Sequence, residues 1–348
     1  MTVDRNVSVL LSTAIWISTA FSAGRAQRAT VLGRVVDREN GQPVANASVL
    51  VLPSGAQRLA GEDGSFTLRE LPAGETRLRF RRIGFAPKDT SFVVRAGDTI
   101  RVSVEMNRLA LELPAVVAGT CTNRTPFEER PPVLAALYDQ VIQNAERLRL
   151  LARQRPFTIQ ITNTRGLEGR TAMITDTVMK GPLPDEPYAP RHIIRDFQGR
   201  KSGGVMLPEL TDIADTAFTN NHCLWYAGQQ RFGSDSVVRV DFEPVPWLAR
   251  EVDFEGSIYV RVDGYALVGM ETRLNRMPGE WARTVVGYGT RSHYQELVSG
   301  VPVIADWEIT NTFRGSSTPT VNQRSRVLGV RWSTPPGPAR DSVPRPPR

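Results

Sequence analysis

Ile100, Val102, Val104 and Met106 alternate with Arg101, Ser103 and Glu105. A chain that repeats its apolar residues at every second position buries one face of a strand and wets the other. The same rhythm runs back to Thr30. TVLGRVVD (30–37), ASVLVL (47–52), SFTL (65–68), TRLRFRR (76–82) and SFVVR (91–95) precede TIRVSVEM (99–106). Between them stand turn residues: Asn40-Gly41 with Pro43, Asp63-Gly64, and Pro72 with Gly74. Short strands with turn signals every 8–12 residues or so predict a small antiparallel β-sandwich.

Within it, GEDGSFTLRELPAGETRLRFRRIGF (61–85) joins a glycine cluster to a line of arginines. Glycines cradle phosphate when a helix N-terminus follows them. None follows Gly64, Gly74 or Gly84, so these glycines serve turns. Phe66, just past the Asp63-Gly64 turn, is expected in the core. Leu78 and Phe80 form the inner face of their strand. Arg77, Arg79 and Arg81 are left outside as a candidate surface for an acidic partner or phosphate groups.

Gly33, Val36-Asp37, Gly41, Pro43, Ala47, Val49, Asp63-Gly64, Phe66, Leu71-Pro72, Gly74 and Ile83-Gly84-Phe85 follow one another as in the carboxypeptidase regulatory-like domain. Over residues 28–118 the chain resembles exported bacterial proteins that carry this domain. The resemblance implies a transthyretin-like (prealbumin-like) β-sandwich over 28–108, a non-catalytic module of exported enzymes and receptors. It does not imply peptidase activity. LALELPAVVAGT (109–120), within a linker of 109–130, is similar to the joint between this domain and the plug of outer-membrane receptors.

The first 26 residues carry an early Arg5, an apolar run from Val7 to Phe21, and small residues Gly24 and Ala26. This reads as a secretory signal peptide cleaved after Ala26. The run is shorter and milder than the ~20 apolar residues of a membrane span. No later segment suits a membrane-crossing helix. Cys121 and Cys223, the two cysteines of the chain, both lie in the exported part. In an oxidising compartment such a pair is expected to form a disulfide.

After Cys121 the period changes. Leu134, Leu137, Val141, Ala145, Leu148 and Ala152 recur at spacings of three and four, which predicts an amphipathic helix over 131–154. Asp139, Gln140, Gln143, Glu146 and Arg147 occupy its other side. Period-two segments follow at 157–164, 169–180, 221–228, 237–244, 256–274, 283–313 and 323–332, with 181–218 irregular. Asp263-Gly264 turns the clearest hairpin, with Ile258, Val260 and Val262 on one face and Ala266, Val268, Met270 and Leu274 continuing it. Residues 131–333 therefore read as an α+β domain, a long antiparallel sheet packed on one helix. The Pro/Arg-rich tail 334–348 is expected to be disordered. This half faintly resembles the C-terminal region of uncharacterised exported proteins with the same regulatory-like domain. It is also loosely similar to periplasmic half-barrel carriers of lipoproteins and lipids.

The search for chemistry is short. His192, His222 and His293 stand in no metal-binding spacing, and each reads as a surface or partly packed residue. The zinc motif of metallocarboxypeptidases is broken at Arg195. No nucleophile motif occurs. Asp241, Glu243, Asp253 and Glu255 read as exposed alternate positions. The second half holds Trp225, Tyr226, Trp247, Tyr259, Tyr265, Trp281 and Trp307. Tyr259 opposes the apolar face of its strand and is the candidate for a binding surface. The formal charge of +7 is spread thinly, with +4 left for residues 27–333, so no nucleic-acid stripe emerges. No motif calls for a cofactor.

These features predict a mainly β, non-catalytic exported protein of the periplasm, outer membrane or cell surface. Its expected work is binding or scaffolding of an envelope protein or glycan. A carrier of lipid or another apolar ligand in the helix-and-sheet domain is the alternative. A hydrolase of unknown type is the third reading.

Overall fold

The computed structural model describes residues 28–113, 132–167, 169, 172–197 and 200–333. The signal peptide, Cys121, most of the linker and the Pro/Arg-rich tail lie outside the described residues.

Seven strands form the first body: β1 (Ala29–Asp37), β2 (Ser48–Leu52), β3 (Ala56–Leu59), β4 (Ser65–Leu71), β5 (Gly74–Arg81), β6 (Lys88–Val94) and β7 (Thr99–Met106). They make two sheets, ordered β4-β1-β7 and β3-β2-β5-β6. One pairing departs from an all-antiparallel reading, because β7 runs parallel to β1. The chain reaches β7 by crossing from the β6 sheet, so no hairpin forces it to reverse against β1. AQRL at β3 is too short to show a period. Between the sheets lie Val31, Val35, Val49, Phe66, Leu68, Leu78, Phe80, Val104 and Met106, all buried.

The carbon skeleton explains Gly33 directly. Gly33 pairs with Phe66 across β1 and β4. A Cβ on Gly33 would come within 2.2 Å of the Phe66 ring. The missing side chain is the seat of the aromatic ring.

The second body joins helix α1 (Pro132–Gln154) to a nine-stranded antiparallel sheet. Its strands are β8 (Phe157–Arg165), β9 (Ile174–Lys180), β12 (His222–Phe232), β13 (Asp235–Pro244), β14 (Phe254–Arg261), β15 (Leu267–Leu274), β16 (Val285–Val298), β17 (Val301–Phe313) and β18 (Thr320–Trp332). They lie in the order β12-β13-β14-β15-β16-β17-β18-β8-β9. The stretch 181–218, which lacks a clear period, contains a small hairpin of β10 (Ile194–Phe197) and β11 (Arg200–Val205). A 3-10 turn at Leu210–Ala214 and the one-turn helix α2 (Thr216–Thr219) follow.

A register shift at Tyr259/Val260, opposite Leu267, changes the parity of the β14-β15 hairpin. Leu267 and Met270 thus join Ile258 and Val260 in the core, while Val268 packs with Phe232, Val237 and Tyr259 in a separate cluster. Val262 falls beyond the strand and is exposed.

Helix α1 is buried on two sides. Leu137, Val141, Ala145 and Leu148 pack into the sheet's core. Its polar side is also closed: Gln140, Gln143, Asn144 and Arg147 are at most 2% exposed. The sandwich and turns of the second body together cover that side. Ile83 enters the core of the second body. Gly84 N–H donates to Gln140 Oε1 at 2.8 Å. Asn144 donates to the carbonyl of Tyr265 and accepts from Leu267 N–H. Arg147 donates to the carbonyls of Gly300, at 2.7 Å, and of Asn46. The side chains left off the apolar stripe thus serve an interface, where buried polar groups need partners.

Candidate functional site

Between the inner face of the sheet and the segments 180–186 and 205–211 the packing opens into a cavity of about 390 Å³, which α1 borders through Leu148. Its origin lies in the choice of inward side chains. On β13 and β14 the inward positions are Val238, Val240, Phe242, Ile258 and Val260, which fill the space. On β16 they become Thr290 and Ser292 before the larger Tyr294, and the wall recedes. Leu148, Ile159, Ile161, Val303, Ile304, Trp307 and Ile309 supply an apolar lining. Leu207, Leu210 and Thr211 close one side, and the loop Gly181–Glu186 forms the rim.

The rim carries Lys180, Asp185, Glu186 and Glu209. The Lys180 ammonium donates to Glu209 Oε1. Beneath the rim, Asp212 accepts from the backbone N–H groups of Tyr188 and Glu209. Burial nevertheless pushes its carboxyl above the ordinary range, because loss of solvation outweighs those bonds. Burial, assisted by Glu209 and Asp212, also raises the Tyr294 phenol. Thr211 is 2% exposed, and among the described residues its Oγ1 has no hydrogen-bond partner.

The outer face of the same sheet is a charged trough of about 550 Å³. Arg239 forms a bidentate pair with Asp241, Arg273 donates to Glu255, and Arg291 pairs with Glu271. Tyr259 lies here, stacked on Phe232, and its hydroxyl donates to Glu271 Oε2 at 2.8 Å. Burial is the main cause that raises its phenol to about 12. Trp225 lies at the trough's edge, whereas Trp307 is in the inner cavity.

The three arginines of β5 do not act together. Arg77 pairs with Glu75 on its own strand, and Arg79 makes a bidentate bond to Asp89 on β6. Arg81 leaves the solvent face and pairs with Asp139 and Glu146 of α1. Alternation predicts their side of the strand but not the helix that covers its end.

The histidines separate as well. His192 is exposed. His293 Nδ1 lies 2.8 Å from Asp306 on the outer face. His222, read as a surface or partly packed residue, is instead 3% exposed. Its ring stacks on Phe218 and sits between the carbonyls of Phe218 and Phe254. Asp253 Oδ2 accepts from Tyr188 there, and its Oδ1 is 3.6 Å from His222. Asp253, grouped above with exposed positions, is wholly buried. These groups meet inside the core. Among the described residues no three His, Cys, Asp or Glu side chains converge as a metal site. Cys223 packs against Val245 and Leu248, and Cys121, its expected partner, lies outside the described residues.

Residues 30–107 match the carboxypeptidase regulatory-like domain. A stretch of 106 residues, 28% of this chain, is 33% identical to the TonB-dependent transporter Oar of Myxococcus xanthus, and spans 10% of that protein. The match thus covers about a tenth of the curated relative's length. Among solved structures, a carbohydrate-binding protein assignment from Bacteroides uniformis is similar over 27% of this chain and 48% of its own, at 17% identity and a TM-score of 0.21. A LolA superfamily protein from Nitrosomonas europaea is similar over 57% of this chain and 94% of its own, at 9% identity and a TM-score of 0.33. Among the described residues no helix is long and apolar enough to cross a membrane.

Proposed function

We propose that the chain is a non-catalytic exported protein that holds one apolar ligand in its helix-and-sheet domain, braced by the regulatory-like sandwich. The cavity of about 390 Å³ between the sheet and the segments 180–186 and 205–211 carries this reading. Its volume lies within the roughly 300–1,000 Å³ of small-molecule sites, and apolar walls with few polar groups are their usual make-up. The alternation that fills the rest of the core stops at Thr290 and Ser292, so the space follows from the sequence of β16. The signal-like N-terminus and the cysteine pair support a cell-envelope location on this reading.

The test has two arms. Native mass spectrometry of protein purified from its own envelope is expected to show an added mass that denaturation releases. The fluorescent probe N-phenyl-1-naphthylamine is expected to bind the ligand-free protein once per chain and to lose binding in Ser292→Phe. No retained mass together with no saturable probe binding refutes the proposal.

The charged trough favours a second reading, in which the outer face docks an envelope protein or glycan. A glycan array with wild type and Trp225→Ala separates the two readings. Binding that depends on Trp225 supports the trough, and its absence removes the glycan version.

A further inference from the structure

We infer that strand β9 is a pairing edge, and that its partner is the β9 of a second copy of this chain, set antiparallel about a two-fold axis at Val178. This is independent of the cavity and of any ligand in it.

The two ends of the nine-stranded sheet differ. A free edge offers unpaired N–H and C=O groups to any extended chain, and proteins guard such edges with bulges, charged side chains, proline or a covering element. β12, at one end, is guarded. Its pairing with β13 shifts register between Tyr226 and Gly228, and Gln229, Gln230 and Arg231 are exposed beyond the shift. β9 is at the other end, and among the described residues no strand lies beyond it. It pairs with β8 along its whole length without a register shift, and it contains no proline. Thr177 and Thr175 share hydroxyl bonds of 3.3 and 3.1 Å with Thr162 and Thr164, which tie it flat to the sheet. Its two charged side chains are neutralised from within, Asp176 by Arg165 and Lys180 by Glu209.

The exposed side chains show what would cover this edge. Ile174 is 72% exposed, Met179 46% and Val178 38%. Alternation places Ile174 and Val178 on one face of the sheet and Met179 on the other. A strand added in the plane of the sheet covers both faces at once, which a ligand lying on one face does not.

Charge selects the occupant. A second β9 centred on Val178 sets Asp176 opposite the second copy's Lys180, and Lys180 opposite its Asp176. Val178 meets Val178 between these two pairs, and on the other face Thr177 meets Met179. Opposite charges and apolar side chains placed directly across a ladder both stabilise it. Lys180 has three N–H donors and Asp176 Oδ2 more than one lone pair, so neither has to release its present partner. Centring on Thr177 instead would set Asp176 against Val178 and Lys180 against Ile174, charge against apolar carbon. Lys180 also lines the cavity rim, so the pairing brings two rims side by side. Residues 176–180 of each copy make a small interface beside the ~1,200–2,000 Å² of stable complexes, so the expected Kd is micromolar.

Sedimentation equilibrium of the exported chain, from about 1 μM to about 1 mM, is expected to show a reversible monomer–dimer equilibrium that weakens with added salt. Val178→Lys puts two ammonium groups together on the axis and should weaken the dimer at least about tenfold. Met179→Lys, on the other face, should also weaken it, and it keeps the test intact if the first variant folds poorly. Mild oxidation of Val178→Cys should give a dimer bridged through residue 178, whereas Thr177→Cys should not cross-link. A chain that stays monomeric throughout the range overturns the inference. So does a dimer indifferent to both lysine variants, or one that cross-links through residue 177 in place of 178. Monomers whose β9 amides resist hydrogen exchange would show the edge covered by the chain itself, which overturns it equally.

Discussion

Arg147→Met removes a buried guanidinium from the seam between the two bodies. Arg147 is 2% exposed and has no carboxylate within ion-pair distance among the described residues. It reaches the carbonyls of Gly300 and Asn46, and more distantly that of Arg81 at 3.5 Å. Burial holds its pKa well below the ordinary arginine value, and the neighbouring Arg82 adds to that effect. Two charge-assisted bonds contribute about 1.5–3 kcal/mol each, or roughly 3–6 kcal/mol together. Methionine returns part of this, because no ion is then withdrawn from water. The balance should be a loss of about 3 kcal/mol, since two carbonyls remain buried without donors. For a body of this size that corresponds to a fall of roughly 6–12 °C in Tm. Differential scanning calorimetry should show the fall, with separation of one transition into two as the sandwich uncouples. Arg147→Lys should lose nearly as much, because one ammonium cannot span carbonyls on two bodies. A methionine variant that melts at or above the wild-type midpoint refutes the reasoning: desolvation would then outweigh the bonds.

Gly84→Ala should weaken the same seam by about 1–3 kcal/mol, because residue 84 has φ +79° and a Cβ there would lie 3.1 Å from Gly264 Cα; chemical denaturation measures it, and a neutral result contradicts the close approach. Asp212 has a raised folded pKa, so its contribution is fully present below the ordinary carboxylate range and is lost as pH rises through the folded value. The stability of wild type minus that of Asp212→Asn should therefore fall with rising pH above ~4; a difference that rises instead rejects the assignment. For Cys121 and Cys223, no thiol should react in denatured exported protein without reductant, and reduction should cost up to about 4–5 kcal/mol for a loop of this length; two reactive thiols would reject the bridge.

The strands were legible because their faces differ. Ile258 and Val260 lie inward, and Arg239, Asp241 and Glu255 lie outward. Phe66 opposite Gly33 was legible as a motif, though the reason for it is a ring that fills the place of a Cβ. The site was much less legible. Thr290 and Ser292 obey the same alternation as their neighbours, so their small size signals a recess only once the opposite wall is known. Thr211 lies in a stretch without period, held by side-chain bonds from Asp212 rather than by a repeating pattern. The polar side of α1 reads as solvent-facing because periodicity reports contrast, not exposure. Gln140, Asn144 and Arg147 find their partners in turns 56 to 153 residues away along the chain. His222 and Asp253 were misread for the same reason: their partners are carbonyls and a tyrosine from distant segments.

The double burial of α1 bears on why the cavity persists. A void collapses when a neighbouring element can move into it. Here α1, which borders the space at Leu148, is tied to the sandwich by Gln140 and Arg147 and to the β14-β15 turn by Asn144, so it is held in place on that side. The space opens to solvent at its rim, so water or a ligand can enter it. Ser292→Phe distinguishes this from an incidental packing fault. A phenyl ring in that space should gain about 1.5–3 kcal/mol of apolar burial, raising the melting temperature of ligand-free protein while naphthylamine binding is lost. A destabilised variant would mean that Ser292 is backed by close packing, and the receding wall would have to be assigned elsewhere.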